Sequence, residues 1–336
     1  MAKRSILFFY VNFSSFVKAD YEILSSFANV TKYQFDPGKG LINTGIKVLK
    51  QFLFLMIHIW RHQAVYVWFA DYHSLLPVIF ARLFGKKSYV VIGGYDICRE
   101  RSLNYGAFCS SFRGFFTART IRHCTVNLTV SNYVDRKVQF VFPRVRHEMI
   151  YNCIRLDSPE NGYHAKENLI LCVALLDSKR TYLRKGIDTF LNLSLSLPEY
   201  HFVLIGPNRD SLSLFPNPLP ENVEVFERLP HHELIAYFQK ATFYCQLSRV
   251  EIFGVAIGEA MLHGCIPLVT NVGGMPEVIG KEGFIVSRNS EKIAVQIRNL
   301  AKQDNTAMRE ACRQQILNHF SVNQRRDSIM KILTFS

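Results

Sequence analysis

The segment from Leu247 to Glu259, L-S-R-V-E-I-F-G-V-A-I-G-E, sets two carboxylates, Glu251 and Glu259, eight residues apart around Phe253-Gly254-Val255. The apolar pattern after Gly254 predicts a helix that opens at this turn and stops at Gly264, with Pro267 among the first residues of the next strand. Free N–H groups at such a helix start attract a phosphate, and Gly254 lets a ligand approach the backbone closely. Two acids beside that anion site would repel phosphate alone. They fit if each accepts hydrogen bonds from hydroxyls, ribose on one side and a sugar on the other, which is the geometry of a nucleotide-sugar site. Taken alone, the same pair reads equally as ordinary acids favoured by the positive end of a helix.

A strand-to-helix loop must hold these residues, and the chain supplies many. Short β-branched or aromatic runs alternate with longer helical patterns. Strands are expected at 5–11, 28–35, 65–69, 88–93, 125–130 and 148–151, then at 168–173, 201–205, 223–226, 242–246, 266–270 and 283–285. Such alternation implies βαβ units and parallel sheets. Two series of this length in 336 residues imply an α/β chain of two doubly wound domains. The polar, turn-rich stretch Arg155–Glu167 divides them, giving domains 1–154 and 155–322. A last helix over 323–336 follows the second sheet and is expected to complete the first domain.

Several classes are excluded. Hydrophobic residues make up 49% and charged residues 20%, enough for a real core and against disorder. The first strand-to-helix loop, Asn12–Phe16, lacks G-x-G-x-x-G, and no G-x-x-x-x-G-K-[ST] occurs, which argues against nicotinamide dehydrogenases and P-loop NTPases. Eight cysteines form no C-x-x-C pair, so a zinc site or disulfide framework is not expected and a reducing cytoplasm fits. No apolar run free of charges is long enough to span a bilayer, and the first residues read as a strand rather than a secretion signal.

The net charge of +13 is unevenly placed: residues 1–150 carry 20 Lys/Arg against 8 Asp/Glu, while the remainder is nearly balanced. An anionic partner is therefore expected at the first half. Basic residues alternate with large apolar ones at Phe112, Arg113, Phe115, Phe116, Arg119 and Arg122, which reads either as core packing or as a membrane interface. The stretch 46–60, with Lys47 and Lys50 among Phe52, Phe54 and Trp60, reads as a core helix on a parallel sheet, with an interfacial role as the alternative. No nucleic-acid-binding signature accompanies the charge.

The stretch Ser248–Ile279, with its following G-C-I-P-L-V-T-N-V-G-G-M-P-E-V-I, resembles the E-x7-E region of retaining family 4 glycosyltransferases (glycosyl transferases group 1) of the GT-B fold. Upstream, Val173-Ala-Leu-Leu176 and Arg184-Lys-Gly-Ile-Asp-Thr-Phe190 resemble the family's first strand and lysine of the second domain. Val130-Ser131, Ile150-Tyr151-Asn152 and His319-Phe320-Ser321 match further landmarks. The likeness is strong over 168–335 and loose over 1–150. It implies two Rossmann-like domains whose parallel sheets face across a cleft. It implies that Lys185, with Arg184 beside it, binds a donor diphosphate, that Glu259 holds ribose hydroxyls and Glu251 those of the donor sugar, and that Phe253, Gly254 and Val255 offer backbone N–H groups. No metal is implied.

Departures are visible. The family's Gly-Arg after the first strand of the second domain is Ala174-Leu175, so Arg180 or Arg184 would have to replace that arginine. The glycine-rich loop of the first domain is absent. A family histidine is Gly93 in Gly93-Gly94-Tyr95-Asp96. Asp96 reads either as an acceptor of hydrogen bonds from donor sugar or acceptor at the chemistry, or as a loop cap. Tyr95 could stack on a sugar; His73 reads mainly as structural, and Asp20 and Glu22 as helix acids or an acceptor-side base.

The expectation is a cytoplasmic enzyme, with peripheral attachment to the inner face of the membrane as a further reading. It would move a sugar from a UDP- or GDP-linked donor to a glycan or lipid-linked glycan in cell-surface polysaccharide or lipopolysaccharide synthesis, with retention. Three alternatives stand beside it: a nucleotide-sugar epimerase or phosphorylase of the same fold, a catalytically weak sugar-nucleotide-binding protein, and a nucleic-acid-binding protein.

Overall fold

The computed structural model describes residues 4–37, 40–155 and 165–335; most of the expected boundary stretch 155–167 lies outside them. Two compact units result, residues 1–153 with 322–336, and residues 154–321.

The first unit runs β1 (Arg4–Tyr10), α1 (Ser15–Phe27), β2 (Ala28–Gln34), α2 (Leu41–His58), β3 (Ala64–Trp68), α3 (Tyr72–Leu83), β4 (Lys87–Ile92), α4 (Ser111–His123), β5 (Val126–Thr129), α5 (Asn132–Val141) and β6 (His147–Met149). Its strands form one parallel sheet in the order β2-β1-β3-β4-β5-β6. Strands covered on both faces need apolar side chains on both. Accordingly Ile6–Phe9, Val65–Trp68 and Tyr89–Ile92 are all buried. Helix starts are written in small polar residues: Asp71 and Ser74 form a reciprocal capping box at α3, and Ser110 and Ser131 cap α4 and α5.

The second unit runs β7 (Glu167–Leu176), α6 (Lys179–Lys185), α7 (Ile187–Ser196), β8 (His201–Pro207), β9 (Val223–Phe226), α8 (His231–Lys240), β10 (Ala241–Gln246), α9 (Val255–Leu262), β11 (Ile266–Thr270), α10 (Met275–Ile279), β12 (Phe284–Val286), α11 (Ser290–Ala301) and α12 (Thr306–His319). Its parallel order is β12-β11-β10-β7-β8-β9. From β7 the chain builds outward through β8 and β9, then returns to lay β10 on the other side of β7. That reversal is a topological switch point, and in open α/β sheets the crevice beyond the carboxyl ends of the two switch strands binds ligands.

A last helix, α13 (Val322–Phe335), belongs to the first unit. Its Arg325 is buried and forms a two-pronged ion pair with buried Asp20 of α1, at 2.5 and 2.8 Å. Tyr66 donates its hydroxyl to the same carboxylate at 2.7 Å, and Arg325 also donates to the carbonyls of Ile150 and Tyr151. Asp20 thus sits mid-helix in a structural cluster rather than at a helix start. His73 is buried too, its ring against the Trp68 carbonyl.

One expectation is corrected. Residues 46–60 are not a core helix. Only one side of α2 and the turn after it packs, through Gln51, Leu55 and Ile59, while the opposite side is open to solvent. The segment Ile42–Arg61 is also long and apolar enough, by length and composition, to cross a bilayer, and only 17% of it is buried. Asn43, Lys47, Gln51 and His58 make a polar arc on this helix, yet the buried Gln51 stands within it, so the apolar pattern pointed to the sheet the side that is in fact open.

Candidate functional site

The loops that leave β7 and β10 carry the expected donor-site residues. After β7, Ser178 caps α6 by accepting the Thr181 N–H, and α6 ends at Gly186 in the left-handed conformation (φ 71°). A Cβ on Gly186 would lie 1.9 Å from the Leu247 carbonyl oxygen. Only glycine therefore lets this turn press against the end of β10, and that pressure carries Lys185 to the β10 loop. There the Lys185 ammonium donates to Glu251 Oε2 at 2.5 Å, with both side chains largely buried.

Glu251 is held from several directions. Its Oε1 accepts the Ile252 N–H. Gly274 N–H donates to the Ile252 carbonyl, and a Cβ on Gly273 (φ 60°) would lie 1.7 Å from the Glu251 carbonyl oxygen, so the V-G-G turn braces the loop from behind. A polar ladder climbs to it from the strands: Tyr244 to Gln246, Gln246 to Ser248, and Thr270 to the Ser248 carbonyl at 2.6 Å. Burial would raise the Glu251 pKa. The Lys185 and Arg184 charges, the hydrogen bond from Lys185 and the Ile252 N–H outweigh it and hold the carboxyl below its ordinary value.

Gly254 (φ 94°) starts α9, whose first N–H groups, at Val255 and Ala256, are left to partners outside the helix. Phe253 contributes only backbone to the loop surface, because its ring is buried against Phe320 at 5.5 Å. Glu259 stands half-buried on α9. Burial most of all, then the Cys172 thiol and after it the Glu251 and Glu259 carboxylates, push the buried Tyr244 phenol well up. Lys185, Glu251 and the start of α9 form one cluster on the loops that leave the switch strands, with Arg184 next to Lys185 in sequence and Glu259 in the second turn of α9. The cluster combines cations and N–H donors, suited to a diphosphate, with two carboxylates suited to hydroxyls.

A residue that sequence reasoning missed secures it. Arg249 donates to both carboxylate oxygens of Asp188, at 2.7 and 2.6 Å, to the Leu183 carbonyl at 2.7 Å, and from its backbone N–H to the Arg184 carbonyl. It ties the end of α6 to the first turn of α7 and so fixes where Arg184 and Lys185 stand. Its only signal was a cation two residues before Glu251. At the other departure, Ala174-Leu175 lies inside β7 at a register irregularity. No arginine stands there, and Arg184 is the cation whose charge acts on Glu251 beside that of Lys185.

Asp96 lies in the first unit, after β4. It is fully buried, and its carboxylate accepts N–H groups from Ala70, Gly93 and Gly94 at 3.1, 3.2 and 2.7 Å. Burial outweighs those donors and pushes its pKa up to about 6. The folded value therefore exceeds the unfolded one near 3.8, and the native state holds the proton more tightly between the two. The resulting stabilisation is complete below about pH 4 and is lost as pH rises through about 6, with a span of roughly 3 kcal/mol. Both tryptophans, Trp60 and Trp68, lie in the first unit and report its unfolding. Urea titrations followed by their fluorescence should show this downward slope in the wild type and a flatter profile in Asp96→Asn; equal slopes would refute it.

Residues 155–318 match the family model described as "Glycosyl transferases group 1". A relative from Klebsiella pneumoniae, described as an "Uncharacterized 41.2 kDa protein in cps region", is 27% identical over 316 residues, covering 85% of this chain and 80% of its own. Sucrose-phosphate synthase (tll1590) from Thermosynechococcus elongatus superposes with a TM-score of 0.78 at 12% identity, covering 99% of this chain and 98% of its own. Anabaena Alr3699/HepE, solved in complex with UDP and glucose, superposes with a TM-score of 0.73 at 15% identity over all of both chains. The fold is GT-B, and the second unit is similar to glycosyl transferases group 1 over the residues matched.

Proposed function

We propose that this chain is a retaining, metal-independent glycosyltransferase that moves a sugar from a UDP- or GDP-linked donor to a glycan or lipid-linked glycan. The observation that carries the reading is the Lys185–Glu251 pair at the start of α9. Donor binding exchanges both partners. The diphosphate draws Lys185 off Glu251, and sugar hydroxyls take the place of the ammonium on the freed carboxylate, while Glu259 accepts from the ribose. As the glycosidic bond breaks, negative charge grows on the departing diphosphate oxygen. Lys185, Arg184 and the α9 N–H groups stabilise that charge in place of a metal ion. The new bond forms on the face of the sugar that the old one left.

The first, basic unit takes the acceptor, working at the inner, cytoplasmic face of an anionic membrane. Asp96, committed to three backbone N–H groups, acts by shaping the Gly93–Gly94 loop rather than by moving a proton. Cell-surface polysaccharide or lipopolysaccharide synthesis is the setting, supported by the cps-region relative; a UDP-linked donor is supported by the ligands of the Anabaena structure.

A thermal-shift panel of nucleotide sugars, run on wild type and Glu259→Ala, tests the reading. One UDP- or GDP-sugar should raise the melting temperature of the wild type by several degrees and leave Glu259→Ala unmoved. Release of the nucleoside diphosphate with that donor and an acceptor should persist in chelator. No shift with any donor would sink the reading, and turnover lost in chelator and restored by manganese would sink its metal-free part.

A further inference from the structure

The open side of α2 forms a continuous stripe. Ile46, Leu49, Leu53, Ile57 and Trp60 follow one another at steps of three or four residues, each between 47% and 63% exposed. Contiguous exposed apolar patches mark interaction surfaces. The helix cannot turn the stripe inward, because its other side is fixed: Leu55 and Ile59 are fully buried, and Gln51 donates to the His73 carbonyl at 2.9 Å. Nor can it stand across a bilayer while so attached; it can only lie flat.

Charge decides what covers it. No Asp or Glu occurs between Asp36 and Asp71, and none occurs within α2, α3 or α4. Lys50 and Arg61 flank the stripe, both exposed. On α4, Phe112 and Phe115 are also exposed, with Arg119 over the Phe115 ring at 5.1 Å. A second copy of this face would set cations against cations, and the acid bonded to α2, Asp36, is already paired with Lys47. A bilayer containing anionic lipid supplies both missing complements, hydrocarbon for the stripe and phosphates for its flanks.

The geometry points to α2 as an interfacial helix that lies in the headgroup layer of an anionic bilayer, its stripe toward the acyl chains and Lys50 and Arg61 on lipid phosphates. The inference gives an element to the membrane contact proposed above and rests on that reading only for the membrane being the place of work. Docking itself needs neither donor nor acceptor.

The test uses the full chain with vesicles of phosphatidylcholine alone, or with roughly a third phosphatidylglycerol. Flotation measures partition. Trp60 emission measures insertion, since Trp68 is only 1% exposed and contributes a constant background. Anionic vesicles should bind the chain and shift Trp60 to the blue; neutral vesicles should bind far less. Lys50→Gln with Arg61→Gln should weaken partition about 30-fold, and Leu53→Ser with Ile57→Ser at least about tenfold. Unchanged far-UV circular dichroism would confirm that these outward-facing changes leave the fold intact. Equal partition to both vesicle types, or partition indifferent to the α2 changes, would overturn the inference. So would a dimer that Leu53→Glu dissolves, with no vesicle binding, which assigns the stripe to a second copy. Lost vesicle binding with sugar transfer to a soluble acceptor intact would defeat this inference and leave the transferase reading standing.

Discussion

Lys185→Ala is expected to lower kcat by about 100- to 1,000-fold, the scale seen when a preorganised group is taken from a developing oxyanion. Two losses combine. In the proposed reaction the leaving diphosphate loses a cation, and Glu251 loses the ammonium that helps hold its pKa down. In the wild type the depressed carboxyl stays ionised across the ordinary carboxylate range; its contribution is present above the unfolded value and fades only as pH falls through the lower folded one. Without Lys185, burial dominates and the carboxyl rises. The acid limb of the residual rate should therefore move to higher pH in Lys185→Ala and much less in Lys185→Arg, which keeps a charge. A rate loss under about fivefold, with an unmoved pH profile, would remove Lys185 from the chemistry.

Arg325→Ala should cost the first unit about 3–5 kcal/mol, because it strands a carboxylate that has no access to water. Asp20 would keep only the Tyr66 hydroxyl, and the carbonyls of Ile150 and Tyr151 would lose their donor. Urea unfolding read by tryptophan fluorescence measures the loss. Replacing both partners, Asp20→Leu with Arg325→Leu, should restore much of it, since the apolar pair leaves no buried charge. If Arg325→Ala and the double variant were equally destabilised, packing rather than charge would hold α13.

The two sheets were legible in the sequence for a definite reason. Parallel strands buried on both faces must be written as short apolar runs, such as Ile6–Phe9 or Ile266–Thr270, and all twelve stand within a few residues of where those runs place them. The acids of the β10 loop and the lysine before Gly186 were legible as residue types. That Lys185 and Glu251 would meet was not, because 66 residues separate them and only the strand order brings their loops together. Arg249 and the Asp20–Arg325 pair were hidden for the same reason: no periodicity marks a contact between distant elements. The outward side of α2 was hidden by the opposite fault, a misleading signal, since its most apolar arc looked fit for a core and is the one left open.

The return of α13 has a consequence for biogenesis. The 168 residues of the second unit are translated between Cys153 and the helix that neutralises Asp20. At about 5–20 residues per second the nascent first lobe waits on the order of ten to thirty seconds with Asp20 lacking its cation. The lobe that is made first is thus the last to be finished. A fragment ending near residue 153 should behave as an aggregation-prone folding intermediate, which only the distal peptide, supplied in cis or added in trans, can rescue.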